Sequence, residues 1–195
     1  YWDTKHQWVY DEIGKMITVD HVVDLGCGCG LLGIYLVYNN IVKSAELYDS
    51  REIQIDYARE LVKYLKLTDR ITIHNKHVEP SELVDKVIVS SRFGSLVDLE
   101  RFIYKNKIIT IRRTSEVEPL FVRNQNLPWR VKQISKDGFN LELLEYSFDD
   151  IINIITGERW NEELSPFLSR MATEEYILKE ISEVSAIGED RIIWV

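Results

Sequence analysis

The sequence predicts an α/β fold built on a mostly parallel sheet that helices cover on both faces. Short β-branched runs alternate with helical segments over residues 5–111, and such alternation requires crossover connections and a parallel sheet. A chain of 195 residues has the length of one domain. The expectation is therefore a single domain, residues 1–195, with a seven-stranded sheet and one insertion.

Each element follows from its local pattern. Apolar residues at helical spacing predict helices, and these segments are 5–17, Leu31–Tyr38, Glu52–Leu67 and Leu96–Phe102. Short β-branched runs predict buried strands, and these are His21–Leu25, Ala45–Tyr48, Arg70–His74, Lys86–Ser90 and Lys107–Ile111. The apolar end of the chain, Arg191–Val195, predicts a last strand that runs antiparallel to the others.

The regular alternation stops after about residue 115. Residues 129–147 contain two alternating runs around Asp137-Gly138, and Asp-Gly is a strong short-range signal for a hairpin. Residues 149–170, a segment with net negative charge, follow as a helical or irregular segment. We interpret residues 116–175 as an insertion whose β-hairpin projects from the sheet.

Charge is distributed unevenly along the chain, which has 24 basic and 32 acidic side chains. Residues 101–136 carry nine basic and two acidic side chains, whereas residues 137–195 carry four and 14. A local basic patch attracts a phosphate backbone even when the whole chain is acidic. RNA binding through 101–136 is therefore one expectation, with a solvated surface as the alternative. The acidic segment is a candidate surface for a protein partner.

Composition excludes several classes of protein. A hydrophobic fraction of 45% excludes a disordered tail protein, and no apolar run approaches the roughly 18 residues of a membrane span. Cys27 and Cys29 match neither a disulfide framework nor a zinc pattern, and the four histidines are scattered. We expect no metal site, no membrane partner, and a reducing, cytoplasmic compartment.

The strongest chemical signal is VVDLGCGCGLLG at residues 22–33. Closely spaced glycines between a strand and a helix let the backbone approach a ligand. Gly28, Gly30 and Gly33 match the dinucleotide fingerprint G-x-G-x-x-G. However, Asp24, two residues before the first glycine, would repel a pyrophosphate and suits a cationic ligand better. A nicotinamide dinucleotide and a purely structural turn stay open as alternatives.

The D-x-G-x-G-x-G arrangement resembles motif I of the class I methyltransferases, whose cofactor S-adenosylmethionine carries an ammonium and a sulfonium. Asp49 ends the second predicted strand, where an acid can accept the hydroxyls of a cofactor ribose. Capping the following helix is its other possible role. No Pro-Pro-aromatic motif follows the fourth strand, and no cysteine lies outside the glycine turn. These absences argue against the classical amino-group DNA methyltransferases and the cytosine-C5 methyltransferases.

Five segments, in order, resemble the glucose-inhibited division protein B family, guanine-N7 methyltransferases of small-subunit ribosomal RNA. The segments are GCGCGLLGIYLV, LYDSREIQIDYARELVKYLKL, HVE, SSRFGSL and the C-terminal GEDRIIWV. The sequence departs from the family pattern at Leu32, where the family has Pro, at His77, where it has Arg, and at Arg112-Arg113, where it has Lys-Gly. Residues 116–175 are also longer and more acidic than the family's last helix.

The resemblance implies a site residue by residue. It places cofactor binding on Asp24, Gly26, Gly28, Gly30, Asp49, Ser50, Val78 and Glu79, and the methyl-transfer site near Arg92, Arg112 and Arg191. Salt bridges to local carboxylates are the alternative role of the three arginines. The implied activity is S-adenosylmethionine-dependent methylation of RNA, with S-adenosylhomocysteine as product. A methyltransferase acting on a small molecule or protein, and a non-catalytic partner protein on the same fold, are the competing expectations.

Overall fold

The computed structural model describes residues 4–91, 102, 106–113, 130–136 and 139–147. The helices in these ranges are α1 (Thr4–Gly14), α2 (Leu31–Tyr38) and α3 (Glu52–Tyr64). The strands are β1 (His21–Leu25), β2 (Ser44–Asp49), β3 (Ile71–Asn75), β4 (Val87–Ser90), β5 (Lys107–Arg113), β6 (Arg130–Lys136) and β7 (Phe139–Ser147). A short 3₁₀ turn, Pro80–Glu82, lies between β3 and β4.

The described strands form one sheet in the order β3-β2-β1-β4-β5-β7-β6. Strands β1 to β5 pair in parallel, so the predicted α/β architecture with a parallel sheet is confirmed. Their carboxyl ends therefore share one edge of the sheet. From β1 the chain adds β2 and β3 on one side, and it then returns to add β4 and β5 on the other side of β1. Open α/β sheets bind ligands at the carboxyl ends of the strands where the strand order reverses in this way.

The hairpin lies in a different place from the one expected. Strands β6 and β7 run antiparallel, with Lys136 opposite Phe139, on either side of Asp137-Gly138. Strand β7 also pairs antiparallel with β5 along the whole of that strand. The expectation of a hairpin that projects from the sheet is therefore wrong. The physical reason is that β5 would otherwise leave a row of backbone N–H and C=O groups without strand partners, and β7 supplies them.

Several predicted elements lie outside the described residues. These are most of the helix Leu96–Phe102, the acidic segment 149–170 and the last strand Arg191–Val195. The division into one domain with an insertion at 116–175 stays a prediction. Among the described residues, no helix is long and apolar enough to cross a membrane.

The helices differ in how they bury apolar surface. Helix α2 is apolar on nearly every side and contacts β1 and β2, as expected for a helix within the core. Helix α3 is amphipathic and buries only Ile55, Ala58 and Val62. It ends at Tyr64, earlier than predicted, and two residues later Lys66 adopts a φ of 57° that a right-handed helix cannot contain. Leu47 on β2 is fully buried, so the sheet and helices share one core.

Candidate functional site

The turn between β1 and α2 has a backbone that requires glycine. Gly26, Gly28 and Gly30 have φ angles of 66°, 57° and 73°, in the left-handed region that only glycine enters without strain. The Cys27 amide donates to the Tyr48 carbonyl at 3.0 Å, which fixes the turn against the end of β2. The turn therefore presents bare backbone at the carboxyl edge of the sheet, as its sequence predicts.

The same turn brings α2 unusually close to the sheet. A Cβ at Gly30 would lie 2.8 Å from Leu47 Cδ1, and one at Gly33 would lie 2.3 Å from Leu47 Cδ2. At Gly28, by contrast, the nearest atom would be Arg51 Nη2 at 3.6 Å, an ordinary contact distance. Gly30 and Gly33 thus serve close packing, whereas at Gly28 a Cβ would make only ordinary contacts with the side chains of Arg51 and Gln54.

The two cysteines of the turn have structural surroundings. The Cys29 thiol donates to Gln54 Oε1 at 2.6 Å and ties the turn to α3. Burial raises the pKa of the Cys27 thiol well above its usual range, and the carboxylates of Asp24 and Asp49 raise it further. Cys27 is therefore held as a neutral thiol that fits the turn.

Asp24 is buried beneath the N-terminal turn of α2, with a relative exposure of 1%. Its Oδ2 accepts a hydrogen bond from the Gly33 amide at 2.8 Å, and its Oδ1 has no hydrogen-bond partner among the described residues. Burial and, to a smaller extent, the Asp49 carboxylate together raise the pKa of this carboxyl to about 7, against the lowering effect of the Gly33 amide. A buried acceptor without a partner is costly, so Asp24 has one oxygen suited to a cationic or hydrogen-donating group.

Asp49 ends β2 and is nearly as buried, with a relative exposure of 7%. Its carboxylate accepts the Gly28 amide at 2.9 Å and both the amide and the guanidinium of Arg51 at 2.9–3.0 Å. Burial alone would raise the pKa of Asp49, but these hydrogen bonds outweigh it and hold the pKa below its ordinary value. Asp49 is therefore ionised at neutral pH and is oriented toward the glycine turn.

A cavity of about 260 Å³ opens beside Asp49, at the carboxyl ends of β1 and β2. Its lining includes four predicted site or turn residues and several that the sequence did not indicate, which together are Leu25, Gly26, Tyr48, Asp49, Ser50, Arg51, Lys76, His77, Val78 and Phe102. Val78 is 4% exposed and forms an apolar part of the wall. The cavity thus combines apolar walls with a few charged groups, which are the Asp49 carboxylate and the cationic side chains of Arg51 and Lys76. This combination is the general character of a small-molecule site.

Tyr48, which lines the cavity, is held in place by a polar network with Glu46, His21 and His74. Its hydroxyl donates to Glu46 Oε2 at 2.7 Å, and its ring stacks on His74 at a centroid separation of 4.2 Å. The His21 and His74 rings each place Nε2 3.2 Å from a Glu46 oxygen. Within the described ranges, no group of three acidic, histidine or cysteine side chains is arranged to hold a metal ion.

The remaining predicted residues are not all brought together. Glu79 does not line the cavity; its side chain accepts a backbone hydrogen bond in the 3₁₀ turn and lies 3.7 Å from the His77 ring. Arg112 is the penultimate residue of β5, opposite Glu142 of β7. Arg92 and Arg191 lie outside the described residues. The structure therefore brings four of the predicted cofactor residues together at the cavity, which are Gly26, Asp49, Ser50 and Val78. The other four, Asp24, Gly28, Gly30 and Glu79, are not part of its lining, and the methyl-transfer residues stay a prediction.

Sequence reasoning missed Tyr48, Arg51, Lys76 and Phe102 as cavity residues. Tyr48 and Arg51 are the sequence neighbours of the Asp49-Ser50 pair. The predicted strand end at Asp49 could therefore have indicated both residues. Lys76 directly follows β3, and the carboxyl ends of parallel strands share one edge of the sheet. Phe102 had no such signal, since it lies far from the other lining residues in the sequence.

The fold is one that solved methyltransferases share. Residues 10–96 match the family described as the methyltransferase small domain. TrmK of M. capricolum, solved with S-adenosylhomocysteine, aligns with a TM-score of 0.56 at 19% identity, covering 91% of this chain and 98% of that one. An RNA methyltransferase from Salinibacter ruber, also solved with S-adenosylhomocysteine, aligns with a TM-score of 0.52 at 12% identity, covering 75% and 94%.

One curated relative supports the narrower resemblance. It is the ribosomal RNA small subunit methyltransferase G of Aliivibrio fischeri, 30% identical over 89 residues. The match covers 45% of this chain and spans only 42% of that relative's length. The predicted methyltransferase fold is confirmed, and the residues present fit the predicted cofactor.

Proposed function

We propose that this protein is an S-adenosylmethionine-dependent methyltransferase that acts on RNA in the cytoplasm, with guanine N7 of small-subunit ribosomal RNA as the acceptor. The observation that carries the cofactor assignment is the pairing of Asp24 and Asp49. Two buried carboxylates stand at the ends of neighbouring strands and flank a bare glycine turn. Asp24 has an oxygen with no hydrogen-bond partner in the part of the chain that the structure describes, and Asp49 lines a cavity.

The residues of the site have separable roles in holding this cofactor. Asp24 Oδ1 suits the ammonium group, because an ionised buried acceptor gains most from a cationic donor. Asp49 suits the two ribose hydroxyls, and Val78 offers an apolar wall for adenine. When bound, the cofactor supplies an electrophilic methyl group on its sulfonium. The protein's task is then to hold the acceptor atom in line with that methyl group.

Guanine N7 is an acceptor that such a site can methylate with few catalytic groups. N7 carries no proton at neutral pH, so no general base has to remove one. Positioning alone can supply roughly 7–11 kcal/mol of a barrier when reacting atoms are well aligned. An arginine can hold guanine O6 while leaving N7 free, because O6 is a hydrogen-bond acceptor of its own. Arg92, Arg112 and Arg191 are the proposed candidates for that contact or for a phosphate.

The support for an RNA substrate comes from charge and from the relatives. Residues 101–136 carry nine basic and two acidic side chains, and the Aliivibrio relative is named for a ribosomal RNA substrate. The acidic residues 137–195 favour a second candidate, a small-molecule or protein acceptor, because they would repel a phosphate backbone. On the RNA proposal, they form the docking surface for a protein partner.

Methylation of unmodified RNA separates these candidates. The protein is incubated with tritiated S-adenosylmethionine and small-subunit ribosomal RNA transcribed in vitro, with an equal mass of homopolymer RNA as control. We expect label only in the ribosomal RNA, and strand cleavage at the labelled guanine after borohydride and aniline treatment, the chemical signature of N7-methylguanosine. Label without cleavage would refute the N7 assignment. Cofactor binding with no label in any RNA would refute the RNA substrate.

A further inference from the structure

The carboxylate of Asp49 has all of its acceptor positions filled. Oδ1 accepts the Arg51 amide at 2.9 Å and Arg51 Nε at 3.0 Å, and Oδ2 accepts the Gly28 amide at 2.9 Å and Arg51 Nη2 at 3.0 Å. A carboxylate has about four lone-pair positions for hydrogen-bond donors. Two cofactor hydroxyls can therefore bind Asp49 only after two of the present donors leave.

The four donors are not equally able to leave. The amides of Gly28 and Arg51 belong to the glycine turn and to the start of α3, and moving either would disrupt the backbone that shapes the cavity. The guanidinium belongs to a side chain that is 66% exposed, whereas the Asp49 side chain is 5% exposed. A long exposed arginine can swing into water at little cost beyond the lost ion pair.

The guanidinium also stands where a ligand would approach. Arg51 lines the cavity, and its Nη2 lies 3.6 Å from the position of a Cβ on Gly28 in the glycine turn. The Nε and Nη2 hydrogens form a pair of parallel donors on one carboxylate. Vicinal ribose hydroxyls present a similar pair of donors, so they can replace the guanidinium one bond for one bond.

We propose that Arg51 is an affinity-determining residue of the cofactor site, whose guanidinium occupies the ribose position on Asp49 in the free protein and competes with the cofactor for it. This inference rests on the proposed cofactor. It predicts that the protein binds its cofactor more weakly than it would if the Arg51 guanidinium did not hydrogen-bond to Asp49. It also predicts that the competition acts on ribose hydroxyls and on no other part of the ligand.

Calorimetric titration with S-adenosylhomocysteine tests the competition. We expect Arg51→Ala to bind about 3- to 10-fold more tightly than the wild type, the range for losing one exposed bidentate ion pair. Arg59→Ala is the matched control, because Arg59 lies on α3, is exposed, and pairs with Asp56; its affinity should equal that of the wild type. Raising the salt concentration should narrow the gap between wild type and Arg51→Ala, since salt screens the exposed ion pair.

Two simpler ligands test whether Arg51 competes with the ribose hydroxyls. Adenosine should gain affinity in Arg51→Ala, and 2′,3′-dideoxyadenosine should not, because it has no hydroxyls to place on Asp49. Equal gains for both ligands, or an unchanged or weakened affinity for S-adenosylhomocysteine in a folded Arg51→Ala, would overturn the inference while leaving the cofactor assignment intact. Failure of every variant, wild type included, to bind S-adenosylhomocysteine would overturn the cofactor assignment and the inference together.

Discussion

Replacing Asp24 by Asn should change how stability depends on pH. Asp24 is buried and its carboxyl has a pKa of about 7, raised from an ordinary 3.8 first of all by burial. A group whose pKa is higher in the folded state favours folding when protonated. Its contribution is complete below pH 3.8 and is lost as pH rises through 7. An asparagine at this position stays neutral and has no such loss.

The size of the effect follows from the two pKa values. Between 3.8 and 7, the folded protein retains a proton that the unfolded chain releases, so the free energy of unfolding falls by about 1.4 kcal/mol per pH unit. Over pH 5 to 8, the wild type should therefore lose roughly 2.5 kcal/mol relative to Asp24→Asn. Other titrating groups are common to both proteins and cancel in the difference.

Urea unfolding followed by far-ultraviolet circular dichroism at pH 5, 6, 7 and 8 measures this difference directly. The free energy of unfolding of Asp24→Asn minus that of the wild type should increase steadily up to about pH 7 and then level off. A difference that stays constant across the four pH values would contradict a raised pKa for Asp24. It would mean that the Asp24 carboxyl reaches solvent or a cationic partner in the folded protein.

Three other predictions concern the same core and site. Gly33→Ala should destabilise the protein by about 1–3 kcal/mol in chemical denaturation, despite the helix preference for Ala, because the new Cβ would lie 2.3 Å from Leu47 Cδ2. Asn106→Ala should cost about 2–4 kcal/mol in the same assay, since the Asn106 side chain satisfies the Lys86 amide and the carbonyls of Leu83 and Phe102. The affinity for S-adenosylhomocysteine, measured by calorimetry, should rise by up to about tenfold per pH unit below pH 7 and level off above it. The reason is that the ammonium group of the ligand pairs with the ionised form of Asp24, whose pKa is about 7.

The sequence predicted well those elements whose signal is local. Helix α2, Leu31–Tyr38, and strand β1, His21–Leu25, have the predicted bounds, because a continuous apolar run and a turn of glycines delimit both. Helix α3 ends before the predicted Leu67. An amphipathic pattern indicates which residues face the core, but it does not indicate the residue at which the helix ends.

The place of the hairpin depends on contacts that are distant in sequence. Alternating residues around Asp137-Gly138 indicate that β6 and β7 pair with each other. They carry no information about the partner of β7 on its other side, which is β5. A pairing between strands separated by a long connection is set by the open edge of β5, and no local pattern reveals it.

The candidate site shows the same limit. Asp24, Asp49 and the glycines were found because strand ends and turns carry motifs. Arg51 was missed, although it lies two residues from Asp49, because its role depends on a guanidinium folding back onto that carboxylate. Glu79 was placed in the cofactor site by resemblance, and the structure instead shows it in the hydrogen bonding of a 3₁₀ turn.

The most direct test of the central claim is calorimetric titration of S-adenosylhomocysteine into the wild type and into Asp49→Ala, with Asp56→Ala as a surface control. Asp56 is an exposed acid on α3 that pairs with Arg59, so its loss changes the net charge equally without touching the cavity. We expect micromolar binding by the wild type and the control, and loss of binding in a folded Asp49→Ala. Binding of equal strength by all three proteins would contradict the assignment of the ribose to Asp49. No binding by the wild type would contradict the cofactor itself.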